Sequence, residues 1–284
     1  MDFEQTAISR LREGAELSER YYQKPLIILY SGGKDSEVVL DLARKSNIRF
    51  MVHHSHTTAD APQTVHHIRK VFKDLESQGI DCHISYPYYK GKRTSMWDLI
   101  VQKTIPPTRI IRYCCTVLKT QYGKKSVCSS GVRWDESIRR KKTRGTLETM
   151  PSDKSKKIIL TDDNADRQEI IQKCAKNFKI MVNPIVDWSD EMLWDYIDSN
   201  HLCINPLYSC GFGRVGCIGC PVAGKKRENE FAKYPLYKQL YIRAFDRMLQ
   251  VRKEKGLQNK LDWKNGLDVY HWWIEDGILS GQMS

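Results

Sequence analysis

The segment that most constrains this chain is the apolar run LIILY at 26–30, set off by Pro25 and followed at once by Ser31-Gly32-Gly33-Lys34-Asp35-Ser36. Five apolar residues in a row, with no polar alternation, suit a strand covered on both faces. The two glycines allow a sharp turn and let backbone approach a ligand with no Cβ in the way. EVVLDLARKS (37–46) then reads as a helix. A strand–turn–helix corner of this kind aims the unpaired first-turn amides, at the positive end of the helix dipole, at whatever binds there. Ser31 and Ser36 add hydroxyls and Lys34 a point charge, so the set suits a pyrophosphate group. The candidate nucleotide contacts are therefore Ser31, Gly32, Gly33, Lys34, Asp35 and Ser36, with Lys34 and Asp35 also candidates for catalysis. Asp35 is placed to hold the loop or a Mg²⁺ ion that offsets phosphate charge. The competing reading is an ordinary glycine turn.

Beyond this corner the pattern alternates. Strands are expected at IRFMVHHS, near 82–86 and at 126–132, with helices over about 62–78 and 95–104 between them, and 2–22 reads as a leading amphipathic helix. That alternation implies an α/β fold with a mostly parallel sheet flanked by helices. From about 139 the texture changes. RRKKTRG and PSDKSKK read as solvated basic segments, and KIIL (157–160) as a weak strand. Asp187 or Ser189 is suited to cap a helix starting near Asp190. A Gly- and Cys-rich loop fills 205–224, and two helical stretches close the chain. The expected division is an N-terminal helix (1–24), a nucleotide-binding α/β domain (25–150) and a C-terminal part (151–284) that lids it.

No apolar stretch approaches the roughly 20 residues needed to span a bilayer, and the amphipathic N-terminus has no signal-peptide core. A cytoplasmic location and no membrane partner are the expectations. A hydrophobic fraction of 40% and seven Trp exclude wholesale disorder. Nine cysteines are many, their number is odd and several are clustered, which speaks against a disulfide framework and for metal or redox work. Cys217 and Cys220 form a C-x-x-C on a glycine-rich loop, with Cys210 upstream and the adjacent pair Cys114-Cys115 far away in sequence. Zinc and a [4Fe–4S] cluster both accept four thiolates; adjacent cysteines are unusual for structural zinc and favour iron–sulfur. Cys82, Cys128, Cys174 and Cys203 read as small buried hydrophobes.

RYCCTVLK (112–119), SSGVRWDESIRR (129–140), PIVDWSDEMLWDYI (184–197) and NPLYSCGFGRVGCIGCP (205–221) resemble successive signatures of the phosphoadenosine phosphosulfate (PAPS) reductase family. The SGGKDS string likewise resembles the pyrophosphate loop of the ATP pyrophosphatase superfamily, whose members split ATP between the α and β phosphates. The resemblance implies an adenine nucleotide alpha hydrolase-like fold. It nominates Arg133 and Arg139 for substrate phosphate or sulfate, with Arg133 also catalytic, and Cys114, Cys115, Cys217 and Cys220 for a [4Fe–4S] cluster.

Two departures stand out. No Cys follows Cys220 in this sequence, so the C-terminal nucleophile of sulfonucleotide reductases is not expected here, and the phosphate loop is intact where theirs is degenerate. Both features resemble the ATP pyrophosphatase component of DNA phosphorothioation systems, a likeness that brings Cys210 in as a ligand. Five cysteines then compete for four places.

The leading expectation is an enzyme that binds ATP, adenylates a target and takes part in sulfur transfer. DNA or RNA is the expected kind of target, and a sulfur-donor protein such as a cysteine desulfurase the expected partner. Two alternatives stand beside it: reduction of PAPS or adenylyl sulfate to sulfite, and a non-catalytic nucleic-acid-binding sensor of nucleotide or redox state. The excess of 46 Lys+Arg over 34 Asp+Glu suits phosphate-rich partners of either kind. Tyr86, Tyr88 and Tyr89 with Lys90, Lys92 and Arg93 combine aromatic and basic groups as single-strand binders do.

Overall fold

A computed structural model describes residues 2–150, 157–162, 179–257 and 263–275. The basic segment at 151–156 and Cys174 lie outside the described residues. The chain divides into two compact units, each assembled from separate stretches: 1–54, 62–85 and 122–215 form the first, and 55–61, 86–121 and 216–284 the second.

The first unit is built on a seven-stranded sheet in the order β3-β2-β1-β6-β9-β7-β8. Strand β1 (Leu26–Leu29) lies inside it, parallel to β2 (Phe50–Ser55) on one side and to β6 (Val127–Ser129) on the other. β6 runs parallel to β9 (Lys179–Val182), and β3 (Cys82–Ser85) forms the edge beyond β2. Chain order reverses direction across the β1/β6 pair, which opens a crevice at the carboxyl ends of these strands, the usual ligand position in open α/β sheets.

Helices α1 (Phe3–Tyr22), α2 (Lys34–Lys45) and α3 (Pro62–Ser77) supply apolar stripes to the main core, where Leu11, Leu26, Ile28, Leu42, Val52 and Leu75 are fully buried. The near-continuous burial of β1 follows from its unbroken apolar run. A second, smaller apolar cluster contains Ile27, Cys128 and Met181. No helix among the described residues is long and apolar enough to cross a membrane.

Past residue 138 the structure is more regular than the basic composition suggests. Ser137 caps a short helix, α6 (Ile138–Thr143). β7 (Leu147–Met150) follows, antiparallel both to β9 and to β8 (Ile158–Leu160). The reason is Glu148, whose carboxylate is fully buried. It accepts hydrogen bonds from Arg144 Nη1 (2.9 Å) and Asn183 Nδ2 (2.9 Å), and Lys157 Nζ lies 2.5 Å away. One buried anion thus draws part of the basic run into the sheet edge, where solvated chain is expected. Helix α7 (Asp190–Ser199) starts as its sequence predicts, with Ser189 Oγ accepting from the Met192 amide.

The second unit is helical. It contains α4 (Met96–Lys103), α5 (Tyr113–Leu118), α8 (Lys226–Lys233), α9 (Pro235–Glu254) and α10 (Gly266–Ile274), with a small hairpin of β4 (Tyr88–Tyr89) and β5 (Lys92–Arg93). Its centre is aromatic: Tyr241 packs 4.7 Å from Trp273 and 4.8 Å from Trp97, and Phe231 and Phe245 close around them. Arg227, itself buried, donates to the carbonyls of Trp273 and Ile274, tying α8 to the end of α10.

Candidate functional site

Two clusters of the nominated residues form, one in each unit. The first is the corner between β1 and α2. Gly32 takes φ +73°, a left-handed conformation that only glycine adopts without strain, and a Cβ there would stand 3.0 Å from Ile68 Cγ1. Gly33 is the N-cap of α2 and offers no side chain, so the first-turn amides stay open. Among the described residues no acceptor meets the amides of Gly32, Gly33 or Asp35. The Lys34 amide donates to Tyr208 Oη (3.0 Å), and Ser36 Oγ sits between the Ser31 amide (3.2 Å) and the Gly33 carbonyl (2.8 Å). The loop is shaped by its own two serines and keeps several donors outward.

Charge at this corner is arranged by three elements. The Lys34 ammonium is buried and donates to Asp190 Oδ1 at 2.6 Å. The same oxygen accepts from Arg133 Nη2 at 2.8 Å, while Arg133 Nε donates to Asp35 Oδ1 at 2.6 Å and Nη1 to the Trp188 carbonyl at 3.3 Å. The Lys34 hydrogen bond, helped by Arg133, pulls the Asp190 carboxyl below the usual range. Gly131 makes this packing possible: a Cβ on it would lie 2.6 Å from the Asp35 carbonyl oxygen. Lys34, Asp35 and Arg133 are thus brought together. Arg139 is not; it lies exposed on α6 and takes no part in these bonds. Three further residues belong to the corner and carry no local sequence signal. Asp190 reads only as the first residue of a helix; Tyr208 and Asn205, whose Nδ2 donates to the Gly32 carbonyl at 3.0 Å, sit in a loop read for its cysteines.

His53 and His54, at the end of β2, and His67 on α3 are buried. His53 is buried, stacks 3.4 Å from Tyr122 and shares a hydrogen bond with Ser85 Oγ. Burial, with His83 and Lys179 nearby, lowers its pKa to about 3. His67 Nε2 lies 3.0 Å from Tyr30 Oη, and both meet Glu37.

The second cluster lies in the helical unit. Cys114 and Cys115 stand side by side on α5, and Cys217 and Cys220 span a tight turn closed by the Cys220 amide donating to the Cys217 carbonyl at 3.2 Å. Segment 55–61 supports that turn. The Ile218 amide donates to the Ala59 carbonyl (2.8 Å), Cys217 bridges Asp60, and Cys217 Sγ donates to Thr57 Oγ1 (3.3 Å). From the other side Tyr241 Oη donates to the Ile218 carbonyl (3.0 Å), and the buried Glu230 accepts from the Gly219 amide (2.7 Å). Gly219, at φ +73°, is pressed against the aromatic core: a Cβ on it would lie 2.5 Å from Phe231 Cζ.

Cys114 and Cys217 are buried, and the charge of each sulfur is felt by the others. The Cys114 thiol feels the charges of Cys115, Cys217 and Cys220. A hydrogen bond between the adjacent pair, with burial, pushes the Cys114 thiol up. The same bond, with Arg112 Nη2 at 3.5 Å, pulls Cys115 down. Burial pushes Cys217 up, opposed by Lys119. Lys119, exposed as a residue, is in turn held protonated by Cys217, Asp60, Cys220 and Cys115. Four thiols with two cations among them form a donor set suited to a thiolate-bound metal group. Cys210 ends a 3₁₀ turn (Tyr208–Cys210) in the first unit and is exposed.

An uncharacterized protein of Methanocaldococcus jannaschii is 26% identical over 230 residues, which are 80% of this chain and 47% of that protein. The chain spans about half or less of the curated relatives of that organism that it matches. Among solved structures, PAPS reductase from Candida auris, in a phosphate complex, aligns with a TM-score of 0.46 at 16% identity, covering 75% of this chain and 88% of that one. The U34-tRNA thiolase NcsA from Methanococcus maripaludis, with its [4Fe–4S] cluster, aligns with a TM-score of 0.37 at 12% identity, covering 93% and 83%. The phosphoadenosine phosphosulfate reductase domain matches residues 25–223, most of the chain, and to that family this protein belongs.

Proposed function

We propose that this chain binds ATP or a close adenylyl nucleotide at the Ser31–Ser36 corner and uses it in sulfur transfer, with a thiolate-bound [4Fe–4S] cluster. The observation that carries the reading is the corner itself: open amides at Gly32, Gly33 and Asp35 beside the buried cations Lys34 and Arg133. Donors fixed before the ligand arrives stabilise charge developing on phosphoryl oxygens without reorganisation. An oxygen of the target attacks the α-phosphorus, the bond to the bridging oxygen breaks, and pyrophosphate leaves carrying the electron pair. Lys34 and the amides hold that leaving group; Arg133, steadied by Asp35 and Asp190, holds its charge beside them. Mg²⁺ accompanies the nucleotide as counter-ion. A sulfur nucleophile then displaces AMP from the adenylated target.

Cys114, Cys115, Cys217 and Cys220 are the proposed cluster ligands, which leaves Cys210 outside the set. Such a cluster binds sulfur or carries electrons, and Arg112 and Lys119 offset the charge of its thiolates.

The test pairs two measurements. Protein purified without oxygen is analysed for iron, sulfide and zinc, and pyrophosphate release from ATP is followed with and without a candidate acceptor. One zinc with no iron removes the cluster; absence of any ATP-dependent pyrophosphate removes the nucleotide reading. The family match supports a second reading, reduction of PAPS or adenylyl sulfate. Sulfite formed from either sulfonucleotide with a thiol reductant decides for it.

A further inference from the structure

The hairpin of β4 and β5 is a further feature of the second unit that presents chemistry to solvent. Its turn residues Lys90 and Gly91 both take positive φ (51° and 77°), the pairing that matches the natural twist of a two-residue hairpin. The Thr94 amide donates to the Pro87 carbonyl at 3.0 Å and closes its base. A lone two-stranded ribbon is barely stable in water, and this one is anchored: Tyr89 lies 4.6 Å from Lys103 Nζ on α4, and the Met96 amide just beyond the hairpin donates to Thr58 Oγ1 at 2.8 Å.

The other face is open. Tyr88 and Arg93 are cross-strand partners and share one side of the ribbon. Tyr88 is 54% exposed and Tyr86 41% exposed, with the Arg93 guanidinium 4.2 Å above the Tyr86 ring. Residues 82–97 contain no Asp or Glu. Among the described residues no carboxylate forms an ion pair with Lys90, Lys92, Arg93 or Lys103.

We propose that this hairpin is a stacking surface for unpaired bases of a polynucleotide: Tyr88 and the Tyr86–Arg93 pair receive base faces, and Lys90, Lys92 and Lys103 receive the phosphates. Exposed rings interleaved with cations that no carboxylate neutralises are what single strands need, because a duplex hides its base faces. The surface bears on α5, since Lys103 Nζ also lies 5.9 Å from the ring of Tyr113, the neighbour of Cys114. Resting on the sulfur-transfer reading above, the proposal makes the acceptor a base or backbone group of a single-stranded segment.

The test is fluorescence anisotropy with the full chain and labelled oligonucleotides: single-stranded RNA, single-stranded DNA, and duplexes of the same length. Wild type is expected to bind one or both single strands in preference to duplex, with affinity falling as salt rises; the two single-stranded arms tell RNA from DNA. Tyr88→Ala with Arg93→Ala is expected to weaken binding by about tenfold or more, while Tyr88→Phe binds as wild type does. Iron content and acceptor-free pyrophosphate release report whether the variants remain folded and the enzymatic reading separately stands. Equal binding by wild type and the double variant overturns the proposal. So does a preference for duplex, or displacement of the strand by polyglutamate as effectively as by unlabelled strand.

Discussion

The two candidate clusters are built by opposite means. At the proposed phosphate corner the groups on offer are backbone amides, and side chains mainly set their geometry: Ser36 ties the turn, and Gly32 and Gly131 permit close approach. At the cysteine cluster the side chains are the chemistry, and backbone bonds from Ala59, Cys217 and Ile218 hold them in place. A site made of main chain depends on conformation and tolerates many identities around it. A site made of four sulfurs depends on each identity. The corner therefore grows from a strand–helix junction of the sheet, whereas the sulfurs come from a short helix, α5, and a tight turn braced by an aromatic core.

Substitutions separate the two designs. The largest effect is expected at Cys217→Ser, which removes a buried proposed ligand and should abolish iron binding, from about four irons per chain to near none, as measured by iron and sulfide analysis. Cys210→Ser should leave the iron in place; loss of iron there would move the boundary between the two sites. Next in size is Lys34→Ala, expected to slow ATP-dependent pyrophosphate release at least about 100-fold with iron content unchanged. If iron is lost as well, the sites are not independent designs.

A third test concerns the sheet unit alone. His53 titrates near 3 in the fold and near 6.5 in the unfolded chain. Between those values the unfolded state binds the extra proton, so stability is full above about pH 6.5 and is lost as pH falls toward 3, by up to about 1.4 kcal/mol per unit. Urea unfolding of wild type and His53→Gln at pH 7 and pH 5 measures it; the variant should show the smaller drop. The smallest effect is Gly32→Ala, expected to cost about 1–2 kcal/mol from its left-handed φ, with a matching fall in thermal midpoint and weaker nucleotide binding.

Much of this was readable in advance where composition and geometry coincide. LIILY could hardly be anything but an inner strand, and SGGKDS follows it with a glycine at Gly32, where the positive φ demands one. Ser189 as a helix cap and the grouping of Cys114-Cys115 with Cys217 and Cys220 also follow from local pattern, the latter through resemblance. KIIL announced β8, but α6 and β7 were not readable, because Glu148 neutralises cations that are distant or merely adjacent in sequence and only the fold brings them to it. Asp190, Tyr208 and Asn205 escaped for the same reason. Each meets the corner across more than 150 residues of chain, and no spacing rule records such a meeting.

Asp190 gives the corner a threshold. Its single oxygen Oδ1 already satisfies both Lys34 and Arg133, so an anion entering the loop meets cations that have a counter-charge. A monovalent visitor merely exchanges one carboxylate for an equivalent partner and gains little. A polyphosphate presents several charged oxygens at once, enough to engage the amides and both cations together, while the displaced carboxylate, whose side chain is 55% exposed, passes readily into water. On the proposed nucleotide role, valence, more than shape, would decide which ligands are admitted.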